Sequence, residues 1–200
     1  ENVPTQSDIL RYYEAISDAI DIGVMIYHAH WMPHGRIEMD TFKRMADFEH
    51  IMAIKWNSPP DVPYESMREL VDDFNIFDNS NQPGRCYANG GQGFLDHLAP
   101  ANPQHELEIL DLFEAGKYDE GQAMWDAVSK PTIEFKNTVL ASGGGVARLK
   151  KAAMAVMGHP VGSMRPPSPP LTVEEMGKLS DLLVDLGWPV PGRAETAVPA

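Results

Sequence analysis

The sequence predicts an α/β fold built on a parallel sheet, and three observations predict it. Residues 23–27 (GVMIY) and 51–55 (IMAIK) are short, continuously apolar runs of the kind found in strands buried on both faces. Segments with helical spacing lie between the strand candidates, and such alternation means βαβ units. The composition, 43% hydrophobic and 22% charged over 200 residues, is that of a chain able to build a core.

Taken in order, residues 7–20 carry Ile9, Tyr12, Tyr13, Ile16 and Ile20 at helical spacing, with Ser7 or Asp8 as cap. The strand at 23–27 follows. A polar loop leads to a helix over 40–48, capped by Asp40 or Thr41, and to the strand at 51–55. Pro63 suits the first turn of a helix over 63–73. Residues 75–78 form a third strand, and 93–96 a weak fourth after the Gly90-Gly91-Gln92-Gly93 turn. Right-handed crossovers place the helices outside the sheet.

The character changes after residue 103. Helices are expected over 104–115, 118–140, 146–157 and 172–186, with Gly143-Gly144-Gly145 separating two of them. The proline-rich stretch 165–170 reads as stiff and extended. Thr172 and Glu175 have capping-box spacing. The expected organisation is 1–103 for the sheet region, 104–190 for a helical region and 191–200 for a tail.

The formal charge of −13 argues against nucleic acid and anionic membrane surfaces, which need clustered Lys and Arg. No apolar run approaches the roughly 20 residues of a membrane helix. One cysteine, Cys86, excludes an internal disulfide and fits a reducing, cytoplasmic compartment. The N-terminus shows no secretory pattern and no initiator Met, which points to a processed or excised segment.

Lys55 carries the most chemical information. It ends an apolar strand, the place where parallel α/β proteins bind ligands. Desolvation by Met, Ile and Trp56 beside it would favour the neutral amine, which attacks ketones. The alternative is a lysine that snorkels to water. Tyr27 ends the preceding strand, where a phenol can relay a proton or simply pack as a core aromatic. The two strands are consecutive, so Tyr27 and Lys55 are expected side by side, about 4.8 Å apart between strands.

His28, His30 and His34 are a competing signal, because His-x-His at a strand end is a metal-ligand spacing and would suit a metal-dependent barrel hydrolase. On a regular strand, however, His28 and His30 point opposite to Tyr27. No metal ligand set is assigned. Asn79, Ser80, Asn81 and Asp96 follow or end the third and fourth strands and could bond a carboxylate or hydroxyls, or serve turns.

A strand ending in Tyr27, then 28 residues on a strand ending in Ile54-Lys55, resembles the dihydrodipicolinate synthase/N-acetylneuraminate lyase superfamily. The run Arg148-Leu149-Lys150-Lys151-Ala152-Ala153-Met154 to Gly158 is similar to a helix of that superfamily. So is Arg165-Pro166-Pro167 before Leu171-Thr172-Val173-Glu174-Glu175 to its closing segment. The resemblance covers residues 7 to 190 in consistent order. It implies a (β/α)₈ barrel represented by about strands five to eight, with a C-terminal helical extension.

The resemblance also implies a Schiff-base lyase, an aldolase or dehydratase, acting on pyruvate or another 2-oxo acid with an aldehyde. Lys55 would be the covalent lysine, Tyr27 the proton relay, and no separate cofactor is needed. Leu95 falls near the residue whose backbone faces bound pyruvate, and Asn79 on a loop position that is often glycine. A homotetramer or dimer is implied, and a non-catalytic relative that binds a keto acid is the other reading.

Two departures stand out. Superfamily members making dihydrodipicolinate carry Tyr-Asn-x-Pro-x-Arg after strand five. Here the run is Tyr27-His28-Ala29-His30-Trp31-Met32, and Arg36 is displaced. This favours a different aldehyde or sugar acid, with aromatic character given Trp31 and Trp56. Second, an eight-stranded barrel takes about 250 residues. The Thr-Thr pair and Gly-rich loop of the first half are not found, so the N-terminal half of the barrel is expected as a partner, without which this chain would be inactive.

Overall fold

The structure, a computed structural model, describes residues 3–32, 35–96, 98–143 and 145–192. Two compact units divide the chain, residues 1–95 and 96–200. Residues 96–102 group with the helical unit, ahead of the change read from sequence at 103, because Leu98 and Ala101 belong to its core.

In the first unit, α1 (Gln6–Ala19) starts at a capping box. The Thr5 hydroxyl accepts the Asp8 N–H at 3.2 Å, and the Asp8 carboxylate accepts the Thr5 N–H at 2.9 Å. The cap is therefore Thr5, with Asp8 as its reciprocal partner, and not Ser7 or Asp8 itself. The chain continues through β1 (Val24–Tyr27), α2 (Met39–Met45) and β2 (Ile51–Trp56). Glu38 precedes α2 without a side-chain cap bond, so Asp40 and Thr41 lie inside the helix.

The segment expected as a helix over 63–73 is a 3₁₀ helix, Tyr64–Glu69. Its buried positions explain the difference. Tyr64, Met67 and Leu70 are spaced by three, which is the 3₁₀ period, and are at most 5% exposed. After β3 (Asn75–Asp78) comes α3 (Pro83–Ala88), which the sequence reading did not anticipate. Its Pro-Gly opening reads as a turn, yet Pro at the first helical position needs no N–H. Gly90, at φ 90°, turns the chain into β4 (Gly93–Phe94).

The four strands form one parallel sheet in the order β1-β2-β3-β4. Among the described residues of this unit, only one face is covered. Ile26, Ile54, Trp56 and Ile76 point to it and pack with Phe42, Met45, Met67, Leu70 and Cys86. Each such side chain contributes about 1.5–3 kcal/mol by leaving water. Tyr27 and Lys55 alternate to the other face, where Met25 is 42% and Tyr27 52% exposed. Burial on both faces, read from the apolar runs, is thus not realised within the described residues of this unit.

The second unit holds α4 (Pro103–Glu114), α5 (Tyr118–Ala141), α6 (Ala147–Val156) and α7 (Val173–Asp185). Leu149, Ala153, Leu179 and Leu183 form the centre of its core. The Thr172–Glu175 capping box opens α7 as its spacing predicts. The 165–170 stretch departs from the extended reading: the Ser168 N–H bonds back to the Arg165 carbonyl at 3.1 Å, closing a turn.

Arg148, 3% exposed, ties this unit together. Its guanidinium donates to the carbonyls of Val139, Gly143 and Pro170 and to the carboxylate of Glu175. No helix among the described residues is long and apolar enough to cross a membrane.

Candidate active site

Parallel pairing of β1 with β2 puts Tyr27 opposite Lys55, and pairing of β2 with β3 puts Lys55 opposite Phe77. Residues in register share a face, so the C-terminal rim of the sheet presents Tyr27, Lys55 and Phe77 in a row. The half-buried Lys55 holds its Nζ 3.9 Å from the centroid of the Tyr27 ring. A π face at that distance attracts the ammonium and shields one side of it from water. Gly93, opposite Phe77 on β4, ends the row with no side chain. A Cβ there would lie 2.3 Å from the Phe77 ring.

The loop after β1 continues this rim. Trp31 meets the Tyr27 ring edge-on at 5.8 Å, and the His30 ring meets Trp31 in the same manner at 5.2 Å. His30 Nε2 lies 2.8 Å from Asn57 Oδ1, and Asn57 Nδ2 donates to the Asn79 carbonyl at 3.0 Å. Because the Asn57 amide nitrogen is the donor to Asn79, its oxygen accepts, and His30 carries its proton on Nε2. Loops from the ends of β1, β2 and β3 are thereby joined by one polar chain.

His28 lies on the covered face, as strand alternation requires, and is 1% exposed. It packs edge-on against Phe42 at 5.2 Å and beside Trp56 at 5.9 Å, and its Nε2 accepts the Ile37 N–H at 3.3 Å. Burial, then the neighbouring His30, lowers its imidazole from 6.5 to about 4. His28 and His30 thus both have Nε2 engaged within the protein. His34 lies outside the described residues. Among those described, no group of three or more His, Cys, Asp or Glu is placed to hold a metal ion.

Trp56 does not join Lys55. It is fully buried in the core on the opposite face, because adjacent residues of a strand point to opposite sides. Its expected contact with substrate, and its share in desolvating the amine, are corrected by this placement. Asn79 and Ser80 serve the loop after β3. The Asn79 N–H donates to the Trp56 carbonyl at 2.8 Å and the Ser80 N–H to Asp78 Oδ1 at 3.1 Å. Asn81 takes a left-handed φ of 59°, which an Asn tolerates.

Leu95, 37% exposed, follows β4 with its N–H on the Asp78 carbonyl at 3.1 Å. Asp96 belongs to the other compact unit. Its Oδ1 accepts the N–H groups of Leu98 and Ala99, so the carboxylate closes a turn.

Sequence reasoning passed over Asp78 and Asn57. Asp78 is 2% exposed and accepts from the Tyr64 hydroxyl at 2.8 Å and from the N–H groups of Ser80 and Gln82. Burial raises its carboxyl against those bonds and also raises the Tyr64 phenol. The signal that singled out Lys55, a polar residue ending a strand, was present at Asp78 too. Asn57, one residue past β2, had no such mark.

The chain matches the Dihydrodipicolinate synthetase family over residues 2–186. It is 27% identical over 192 residues to the 4-hydroxy-tetrahydrodipicolinate synthase of Acetivibrio thermocellus, a match taking in 93% of this chain and 62% of that protein. With 4-hydroxy-tetrahydrodipicolinate synthase 1 of Halalkalibacterium halodurans the identity is 25% over 182 residues, covering 89% and 59%.

Among solved structures, a monomeric dihydrodipicolinate synthase variant superposes with a TM-score of 0.78 at 21% identity, covering 93% of this chain and 62% of that one. The dihydrodipicolinate synthase of Thermotoga maritima gives 0.75 at 21% identity, covering 94% and 63%. The chain therefore spans about three fifths of the length of the curated relatives it matches. These neighbours are (β/α)₈ barrels, and the four-stranded parallel sheet corresponds to part of such a barrel. A match over nearly the whole chain, in sequence and in fold, makes it a member of the dihydrodipicolinate synthetase family.

Proposed function

We propose that this chain carries the Schiff-base half of a lyase acting on pyruvate or another 2-oxo acid. The single observation that supports this best is the Tyr27–Lys55 pair: an amine at a strand end, half-buried, 3.9 Å from a phenol ring centroid. In this reading the Lys55 ammonium first gives up a proton to solvent, and the neutral amine then adds to the ketone carbon and water leaves, giving an iminium. That iminium draws electrons from the adjacent carbon–hydrogen or carbon–carbon bond. Tyr27 hands protons between the substrate oxygens and solvent. The covalent lysine takes the place of a separate cofactor.

The uncovered sheet face supports a second part of the proposal. Met25 and Tyr27 stand 42% and 52% exposed on it, and an uncovered apolar face needs a partner. The N-terminal half of the barrel is that partner in this reading, and a homo-oligomer, a tetramer or dimer, belongs to the same proposal. Family membership supports both.

Borohydride reduction in the presence of pyruvate tests the reading on the intact natural protein. The expected result is a pyruvate-sized mass increment on the peptide containing Lys55, absent from Lys55→Ala. An increment that persists in Lys55→Ala, or no increment in the parent, removes the assignment.

A further inference from the structure

We propose that Asp78 is a positioning residue for Lys55: its buried carboxylate shapes the loop after β3, and that loop grips the chain immediately after the lysine. The inference rests on the Lys55 reading above and deepens it, because it names what fixes the amine from the covered side of the sheet.

The two ends of the lysine are set separately. Its tip is steadied by Tyr27, whose ring centroid lies 3.9 Å from Nζ. Its root follows the backbone where β2 ends, and there residue 79 acts through both of its main-chain polar groups. The Asn79 N–H donates to the Trp56 carbonyl at 2.8 Å, one residue past Lys55. The Asn79 carbonyl accepts from Asn57 Nδ2 at 3.0 Å, two residues past Lys55. A shift of residue 79 therefore carries the end of β2 with it.

What holds residue 79 is the loop it opens. That loop passes through Asn81 at φ 59°, a left-handed conformation that Asn tolerates but that persists only where other bonds fix it. Asp78 supplies those bonds on either side of Asn81. Its Oδ1 accepts the Ser80 N–H at 3.1 Å and its Oδ2 the Gln82 N–H at 2.9 Å. The Tyr64 hydroxyl, from the 3₁₀ helix packed on the covered face, donates to Oδ1 at 2.8 Å and sets how the carboxylate is turned.

Asp78 is 2% and Tyr64 5% exposed, so bulk water does not compete for these bonds. Bonds to a charged acceptor are stronger than neutral ones, and more so away from water. Taking a carboxylate out of water is costly, and a Ser or Asn would suffice to start α3. A carboxylate with three donors fixes the path of the loop as well as the start of the helix. Path matters to the chemistry, because displacing a reacting group by about 1 Å can cost about 10²-fold in rate.

The test is a partial reaction that needs pyruvate alone. The Lys55 iminium of pyruvate gives a methyl proton to water and becomes the enamine, and in heavy water a deuteron returns to that carbon. The rate of methyl deuteration at saturating pyruvate is read by NMR on the intact natural protein. It is divided by the amount of chain that borohydride traps with pyruvate. That quotient counts only chain with a competent lysine, so a loss of folding does not lower it. In Asp78→Asn the amide must turn its own donor toward one of the two N–H groups. The quotient should fall at least tenfold there, and at least threefold in Tyr64→Phe and in Asn57→Ala. Asp78→Asn combined with Asn57→Ala should be within twofold of Asp78→Asn alone, because both act through residue 79. A smaller loss in Asp78→Asn, or losses that multiply in the double variant, overturns the inference while the Lys55 adduct stands. Where Asp78→Asn yields no trapped chain, Tyr64→Phe decides, and a loss under threefold overturns the inference. A parent that neither exchanges nor is trapped overturns the Lys55 reading itself, and this inference with it.

Discussion

Lys55 Nζ rests 3.9 Å from the centroid of the Tyr27 ring, and the two residues are register partners at the ends of β1 and β2. Neither side chain has to reach across the sheet. Parallel strands about 4.8 Å apart bring residues in register together on one face. Covering that phenyl face with an amine leaves the hydroxyl as a separable chemical group.

Tyr27→Phe separates the two roles. The ring face that steadies Lys55 is kept and the hydroxyl is lost. Pyruvate trapping should therefore persist, while turnover falls by about 10²-fold or more, the usual worth of a positioned proton donor. Trapping yield and steady-state kinetics on one preparation decide it. Turnover within threefold of the parent would remove Tyr27 as the relay.

The buried imidazole of His28 makes stability depend on pH. Its value falls from 6.5 to about 4 on folding. Between those limits the unfolded chain binds a proton that the folded chain does not, so stability is lost as pH falls through that window. The loss amounts to about 3 kcal/mol by pH 4, at 1.36 kcal/mol per unit. Above pH 6.5 neither state is protonated at this position and the contribution is constant. Urea unfolding at pH 7 and pH 4.5 should show a smaller difference in His28→Gln, which retains an acceptor for the Ile37 N–H.

Cys86 should be inert in the folded protein. It is fully buried, and burial pushes its thiol up to about 12. Iodoacetamide at pH 8 is expected to leave it unmodified under native conditions and to alkylate it completely in denaturant. Rapid native labelling, read by mass, would contradict the packing of β3 against α3.

Gly93→Ala should destabilise the sheet at β4. The added Cβ would sit 2.3 Å from the Phe77 ring, closer than any such contact can be. Overpacking of this kind costs about 1–3 kcal/mol. A lowered denaturation midpoint with an unchanged m-value is the expected outcome. Phe77→Leu combined with Gly93→Ala should recover part of the loss.

Much of this arrangement was legible in the residues. Apolar runs ending in Tyr27 and Lys55 located two strands and their C-terminal ends, because a strand buried against helices must be apolar until it reaches the rim. The Thr172–Glu175 box located a helix start through local bonding alone. α3 was not legible, since Pro83-Gly84 has the composition of a turn and its helical state is fixed by burying Cys86. The 3₁₀ helix at Tyr64–Glu69 reads as α because both periods place residues three apart on one side.

By itself the sequence determined the parallel strands, the pairing of Tyr27 with Lys55 and the turn to helices past the sheet. Those features follow from periodicities of two and about three and a half residues. Only the tertiary structure decided that Trp56 belongs to the core, that Trp31 leans on Tyr27, and that Asn57 and Asp78 hold the rim loops. The reason is that side-chain partners far apart in sequence are chosen by which face of the sheet the helices cover, and by which loops meet at its end.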